Sequence, residues 1–423
     1  MTRFIIPLDH PAACEAERVG PKAANLAKLV QSGLPTPRGI CVTADAYRHQ
    51  ITHLGAADLV HQHANADGSL QRRLSVEVRL KLYQGDLAPD IGAAIAAAWR
   101  EQRKPLAVRS SALIEDRADA NFAGQFESFL GIADEGDFLT ALRACWAALW
   151  TTNARRAMAR HGLEPADTAM AVLIQPLVAA RASGGGLSET ADGQMLISAT
   201  WGLGSAIAQG EVVPDRVVLS RAGFLRSVES GRKHHRETCV HGLGTMTQAV
   251  PDALARTPCL EAAESTTLGR LMRKAEAILG TPVEIEWALD DSGFKLLQAR
   301  PLRVEPAQAP DEIWLRHPGL NGHPAGVGWG AGRAVVVNCE CELTRVAPGD
   351  ILVTRVAGPA LSHILPRVGG VVAELGGSTS HLASLARERG IPAVLGVLDA
   401  TRRIPDGAQV AVDGVAGVVR WLA

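Results

Sequence analysis

Glu374-Leu-Gly-Gly-Ser-Thr-Ser-His381-Leu-Ala-Ser-Leu-Ala-Arg-Glu-Arg-Gly390-Ile-Pro392 places a histidine where a helix should begin. Ser378, Thr379 or Ser380 can cap that helix, Leu382 and Leu385 share an inward face, and Gly390 with Pro392 ends it, so the spacing predicts a helix over about 380–389. The first turn of a helix presents N–H groups and a partial positive charge, and Gly376-Gly377 lets the backbone approach a ligand closely. A phosphoryl group on His381 would be stabilised there. Imidazole, with an ordinary pKa of about 6.5, also offers a neutral nitrogen that can attack phosphorus at neutral pH. A lone histidine of this kind is more often a capping or internally satisfied residue, so its surroundings must decide.

Around it, residues 350–354, 369–374, 393–395, 409–413 and 418–422 read as short strands between Gly and Pro. They predict a small β/α sandwich or barrel over 329–423. Upstream, 304–311 and 321–328 have the Pro- and Gly-rich composition of a connection, which sets a linker at 305–328. The remaining 1–304 falls into two halves near residue 170. The first runs from a helix over 21–30 through Ala-rich helical stretches. The second alternates strands (169–174, 195–199, 216–219) with one helix over 261–279. The fold class is therefore α+β and multidomain.

A chain of 423 residues suits two to four domains, and 47% apolar with 21% charged residues is a globular mix. Forty-three Lys and Arg against 44 Asp and Glu leave a formal charge of −1, so no global basic field gathers nucleic acid or an anionic membrane. Any anion must be met by a local site. No apolar run is long enough to span a bilayer, and the opening is interrupted by Asp9 and His10 before a signal peptide could form, which leads us to expect a cytoplasmic protein. The seven Cys are scattered without a C-x-x-C pair, arguing against a disulfide framework or zinc ribbon. The alternation over 335–343 reads as a strand with Cys339 and Cys341 on its inner face, and no metal is assigned there.

A second informative stretch is Glu284-Ile-Glu286-Trp-Ala-Leu-Asp-Asp-Ser-Gly-Phe-Lys-Leu-Leu-Gln298-Ala-Arg300-Pro301. With Asp291-Ser292-Gly293 as a three-residue hairpin loop, Glu286 opposes Gln298 and Glu284 opposes Arg300, and a bulge would shift this by one. Period-two alternation puts these four on one face, with Ile285, Trp287, Leu297 and Ala299 on the other. Oxygen donors beside an arginine suit Mg²⁺ and a polyphosphate, and an exposed hairpin with surface ion pairs fits the same residues.

These stretches resemble one family. Residues 349–420, with Val394-Leu-Gly396 and Asp406-Gly-Ala-Gln-Val-Ala-Val-Asp-Gly414 after the histidine, resemble the mobile phosphohistidine domain shared by phosphoenolpyruvate synthase, pyruvate phosphate dikinase and rifampicin phosphotransferase. Through that resemblance His381 is the phosphoryl carrier. The same family ends an ATP-grasp-like nucleotide domain with a pattern similar to Glu286-Trp-Ala and Leu297-Gln298-Ala-Arg300-Pro301, which implies Glu286 and Gln298 as magnesium ligands and Arg300 as a phosphate contact. Val19-Gly-Pro-Lys22-Ala-Ala-Asn25 resembles its opening block and gives Lys22 a phosphate. Ala107-Val-Arg109-Ser-Ser-Ala112 with Glu115-Asp116 and Phe122-Ala-Gly124-Gln125 resembles its second block, giving Arg109 a phosphate contact and Gly124-Gln125 the loop over the nucleotide. Gln175-Pro-Leu177-Val178 stands where the family's hinge backbone reads adenine, and Trp201-Gly-Leu-Gly204 with Pro214-Asp215 continues the likeness.

The departures are specific. Gly20-Pro21-Lys22 replaces a double glycine and lysine, Ser205 stands in place of a glutamate, and Ser183-Gly-Gly-Gly-Leu-Ser188 replaces a more apolar stretch. The acceptor domains of the family, whether for pyruvate or an antibiotic, have no counterpart in these residues. The resemblance implies an ATP- and Mg²⁺-dependent dikinase that passes a phosphoryl group from His381 to an unidentified small-molecule acceptor. The alternatives are an ATP and phosphohistidine subunit whose acceptor domain is a separate polypeptide, and a phosphocarrier or regulatory ATP-binding protein.

Overall fold

The computed structural model describes residues 4–115, 126, 128–240, 244–304, 314, 316–356 and 358–422. Helices and sheets mix throughout. The chain divides into two compact units: Met1–Val178 with Cys239–Met246 and Lys295–Arg300, and Ala179–Thr238 with Thr247–Phe294 and Pro301–Ala423.

In the first unit five strands lie in the antiparallel order Ile5–Pro7, Ile40–Val42, Met170–Pro176, Leu106–Ala112, Ser128–Ile132. The middle strand is apolar from Met170 to Ile174 without alternation because the helices Ala16–Gln31 and Glu135–Ala147 both pack on it, and a strand covered on both faces has no polar side. The helix Ala16–Gln31 starts five residues before the expected position and is kinked at Gly20, which has φ 77° and ψ 153°. A Cβ on Gly20 would lie 2.3 Å from the Ser111 carbonyl oxygen. Glycine is required there on both counts, and Pro21 then opens the regular part of the helix, a position where its fixed φ and missing N–H do no harm.

The second unit holds the antiparallel order Val283–Asp290, Ala182–Leu187, Gln194–Trp201, Asp215–Ser220, Leu225–Glu229. The helix Ala262–Leu279 covers one face, started by a reciprocal Glu261–Glu264 capping box and stopped by left-handed Gly280. Gly186 and Ile285 belong to that face: a Cβ on Gly186 would touch Met272 and Ile285. Gly185, Glu284 and Glu286 therefore belong to the other face, and the Trp287 indole N–H ties its strand to the Gly185 carbonyl at 3.1 Å. The reversal after Asp290 holds two residues rather than three, because the Asp290 carboxylate accepts from the Ser292 amide (2.8 Å) and hydroxyl (2.6 Å) and tightens it; Gly293 has φ 105°.

Still in the second unit, eight strands run in the order Gly319–Asn321, Val418–Trp421, Gln409–Asp413, Trp329–Val337, Ile351–Thr354, Gly370–Ala373, Ala393–Leu395, His323–Pro324. The four from Trp329–Val337 to Ala393–Leu395 are parallel. Period-two alternation sorts this sheet's residues between two cores. Val335, Leu352, Val371, Ala393 and Leu395 join Leu382 and Leu385 of the helix His381–Glu388, whereas Val336, Ile351, Val353, Val372 and Val394 join Val410, Val412 and Trp421. Gly319–Asn321 and His323–Pro324, within the stretch read as linker, are edge strands of this sheet.

The reading of Cys339 and Cys341 as inner-face strand residues is corrected. The strand ends at Val337, and both cysteines are exposed and disulfide-bonded to each other. Glu342 accepts from the Asn338 amide (2.7 Å) and Arg345 donates to the Val336 carbonyl (3.1 Å), which turns the chain into the 3-10 helix Glu340–Arg345. Among the described residues no helix is long and apolar enough to cross a membrane.

Candidate active site

The first unit brings together Lys22, Arg109, Gln298 and Arg300, all but Arg109 buried. Lys22 follows the Gly20–Pro21 kink, so its side chain projects from the first turn toward the strand Leu106–Ala112. Its Nζ donates to the Ser110 carbonyl (2.7 Å) and pairs with the Glu115 carboxylate (2.7 Å). An ammonium has three donors, of which these two contacts use two. Ser111 fixes the kink by donating to the Val19 carbonyl (2.7 Å) and accepting from the Ala23 amide (3.2 Å). The Arg109 guanidinium donates to the Leu297 carbonyl (2.7 Å) and to Gln298 Oε1 (2.8 Å), so its planar fork spans a backbone and an amide oxygen of one strand. Asn25 donates to the Ala299 carbonyl of that strand at 3.3 Å.

The proposed hinge is anchored rather than open at two of its positions. Gln175 buries its amide against the Pro37 carbonyl (3.0 Å), and the Leu177 amide donates to the Pro105 carbonyl (2.8 Å). Val178 follows the strand end and is half-buried. Gly124 and Gln125 lie outside the described residues. Glu286 belongs to the second unit, opposite Gly185. Among the described residues no three His, Cys, Asp or Glu side chains gather as a metal cluster.

His381 is the first residue of the helix His381–Glu388. Ser380 caps the helix: its Oγ accepts from the Ala383 amide (3.3 Å) and its carbonyl from the Ser384 amide (3.0 Å). Left-handed Gly390 (φ 66°) follows the helix, and the Ile391 amide donates back to the Ala386 carbonyl (2.9 Å). Both ends thus follow the expected chemistry. Beside the Gly376-Gly377 turn lies His323, 7% exposed, whose imidazole burial pushes down to about 4, with the Arg216 guanidinium adding to the effect.

Three features went unread in the sequence. Glu115 pairs with Lys22, and its presence in the quoted second block was the available signal. Asp215 is structural: it binds the Lys233 ammonium and accepts from the Gly231 (2.8 Å) and Cys259 (2.7 Å) amides, while burial, followed by the Asp215 charge, pushes the Cys259 thiol up. Glu284 accepts from Ser384 (3.1 Å) and Arg387 (3.0 Å) on the His381 helix. A cavity of about 70 Å³ adjoins Arg387 and is lined also by Arg216, Arg303, Asp192, Pro324 and Val327.

The family described as pyruvate phosphate dikinase, AMP/ATP-binding domain, matches residues 16–316, and that described as PEP-utilising enzyme, mobile domain, matches residues 346–417. The chain is similar to a probable phosphoenolpyruvate synthase of Pyrococcus abyssi, 30% identical over 99% of this chain and 58% of the relative. It is also similar to the phosphoenolpyruvate synthase of Aeropyrum pernix, 31% identical over 99% of this chain and 58% of the relative, and to that of Escherichia coli, 29% identical over 95% and 55%. The chain spans less than two thirds of the length of these curated relatives.

Proposed function

We infer the function from one premise: the chain belongs to the family of the pyruvate phosphate dikinase AMP/ATP-binding domain. On it we propose an ATP-dependent, dikinase-type phosphotransferase. ATP would place its phosphates among Lys22, Arg109 and Arg300, beneath a loop carrying Gly124 and Gln125, with adenine against the backbone of Gln175, Leu177 and Val178. Positioning and charge neutralisation supply most of the catalysis in phosphoryl transfer, and three cations suit that task. An imidazole nitrogen of His381 attacks the β-phosphorus, the bond to the α-phosphate oxygen breaks, and AMP leaves. Water then removes the γ-phosphoryl group as inorganic phosphate, and the remaining phosphohistidine passes its group to an acceptor, regenerating neutral imidazole.

The observation that carries this reading is the order of two family matches in one chain, with His381 at the capped start of a helix within the second. On the family resemblance we propose Glu286 and Gln298 as magnesium ligands, since a carboxylate and an amide oxygen are hard oxygen donors of the kind it takes beside substrate phosphates. When bound it would neutralise phosphate charge. The domains we propose are a nucleotide-binding part at 1–304, with halves meeting near residue 170, a connection within 305–328, and a phosphohistidine part at 329–423, working in the cytoplasm.

The acceptor we propose is a small molecule, as the family resemblance implies. The second reading we keep is an ATP and phosphohistidine subunit served by a separate acceptor polypeptide. Chromatography of the nucleotide products tests the reaction class. One AMP and one inorganic phosphate per transferred group support it; ADP as the product overturns it.

A further inference from the structure

The stretch Ser183-Gly-Gly-Gly-Leu-Ser188 has a use that strand formation does not explain. Cross-strand partners in an antiparallel sheet share a face, so Gly185 lies in a row between Glu286 and Ser198, with Glu284 one row away opposite Leu187. A Cβ on Gly185 would lie 2.5, 2.7 and 2.8 Å from Cβ, Cγ2 and Oγ1 of Thr379, its three nearest neighbours. Gly184 and Gly186 meet other groups, the Ser198 backbone and Met272. The middle glycine alone is shaped by the loop that precedes His381.

One row along, Glu284 Oε1 accepts from Ser384 Oγ (3.1 Å) and Oε2 from the Arg387 guanidinium (3.0 Å), and Arg387 also donates to the Ser378 carbonyl. Both charged side chains are 10% exposed. The hydroxyls of Ser198, Thr200 and Ser378 are buried without a hydrogen-bond partner among the described residues, so they do not fasten this seam. Its polar ties include the Glu284 cluster and the Gly376 amide on the Val212 carbonyl (3.1 Å).

We propose that Gly185 and the Glu284–Ser384–Arg387 cluster form a seat that holds the His381 loop against the strand face bearing Glu286, which makes Glu284 and Arg387 positioning residues for phosphoryl transfer from ATP. The proposal rests on His381 as phosphoryl carrier. Gly185→Val adds a Cβ whose three nearest neighbours are all atoms of Thr379, and Glu284→Gln removes the ion pair while keeping an acceptor for Ser384. Glu284→Asp, which restores the charge, is the rescue variant.

Two readouts are taken on the whole chain: hydrogen–deuterium exchange of the 376–382 amides without nucleotide, and single-turnover labelling of His381 by ATP. Gly185→Val and Glu284→Gln should exchange about tenfold faster and take label about tenfold more slowly, with ATP affinity of Gly185→Val within about twofold of wild type and partial recovery in Glu284→Asp. Should Gly185→Val fail to fold, Gly185→Ala and Glu284→Gln decide the same point. Wild-type exchange in these variants overturns the seat. Faster exchange with wild-type labelling overturns the positioning role and leaves the dikinase reading standing. Absence of label on the wild type overturns the role together with that reading, and the exchange comparison then still decides whether the seat exists.

Discussion

Replacing Lys22 by Met removes the ammonium from a pair whose side chains are 7% and 6% exposed and whose Nζ–Oε1 distance is 2.7 Å. Glu115 then keeps one described partner, the Ala112 amide at 3.3 Å, too weak to offset the burial of a carboxylate. A stranded charge of this kind costs about 3–5 kcal/mol, a large share of the roughly 5–15 kcal/mol that stabilises a domain. Glu115→Leu strands Lys22 on the Ser110 carbonyl and should cost a similar amount. The double variant buries two apolar side chains in place of the pair and should regain most of the loss. Stability alone does not distinguish a structural cation from a phosphate ligand, whereas ATP affinity of the stable double variant does. Losing one charged hydrogen bond to phosphate is worth about 1.5–3 kcal/mol, roughly ten- to a hundredfold in Kd. Urea unfolding and titration calorimetry with ATP measure the two effects. A double variant that binds ATP as tightly as wild type refutes the phosphate role of Lys22, and single variants that cost under about 1 kcal/mol refute the buried pair.

Gly20→Ala should lower stability by more than about 3 kcal/mol, since its Cβ would lie 2.3 Å from the Ser111 carbonyl at φ 77°; a wild-type thermal melt would contradict the kink. Ser380→Ala removes the cap of the His381 helix, at about 1 kcal/mol, and should speed exchange of the Ala383 amide while Ser380→Asp preserves it. For His323 the folded-state pKa of about 4 lies below the unfolded value of about 6.5, so the unfolded chain takes up a proton the folded chain refuses. Its contribution is therefore fully present above about pH 6.5 and is lost as pH falls toward 4, at most about 3 kcal/mol. His323→Asn should flatten the urea midpoint against pH across that window, and an unchanged slope would count against the burial argument.

Local signals reported well. The capped and glycine-terminated helix at His381 and the helix expected over 261–279 are both set by neighbours a few residues away. Long-range approaches left no such trace. That Gly185 is shaped by Thr379, or that Glu115 closes on Lys22, depends on backbone paths that no period records. Side chains also overrode local pattern: Glu342 turned the chain at Asn338 and ended a strand that hydrophobic alternation would have continued through Cys341. The Gly20–Pro21 pair read as a helix start because proline opens helices, yet the preceding turn is helical as well and only the kink lies there. Gly319–Asn321 and His323–Pro324 were hidden by Gly and Pro, residues that short edge strands tolerate and long central ones do not.

The most direct test is intact-protein mass spectrometry after incubation with ATP and Mg²⁺ at neutral to mildly alkaline pH, on wild type and His381→Ala, with the nucleotide products measured in the same samples. The account predicts an acid-labile phosphoryl or pyrophosphoryl adduct on wild type alone, formed together with AMP. An adduct that persists in His381→Ala, or ADP formed in place of AMP, would contradict it.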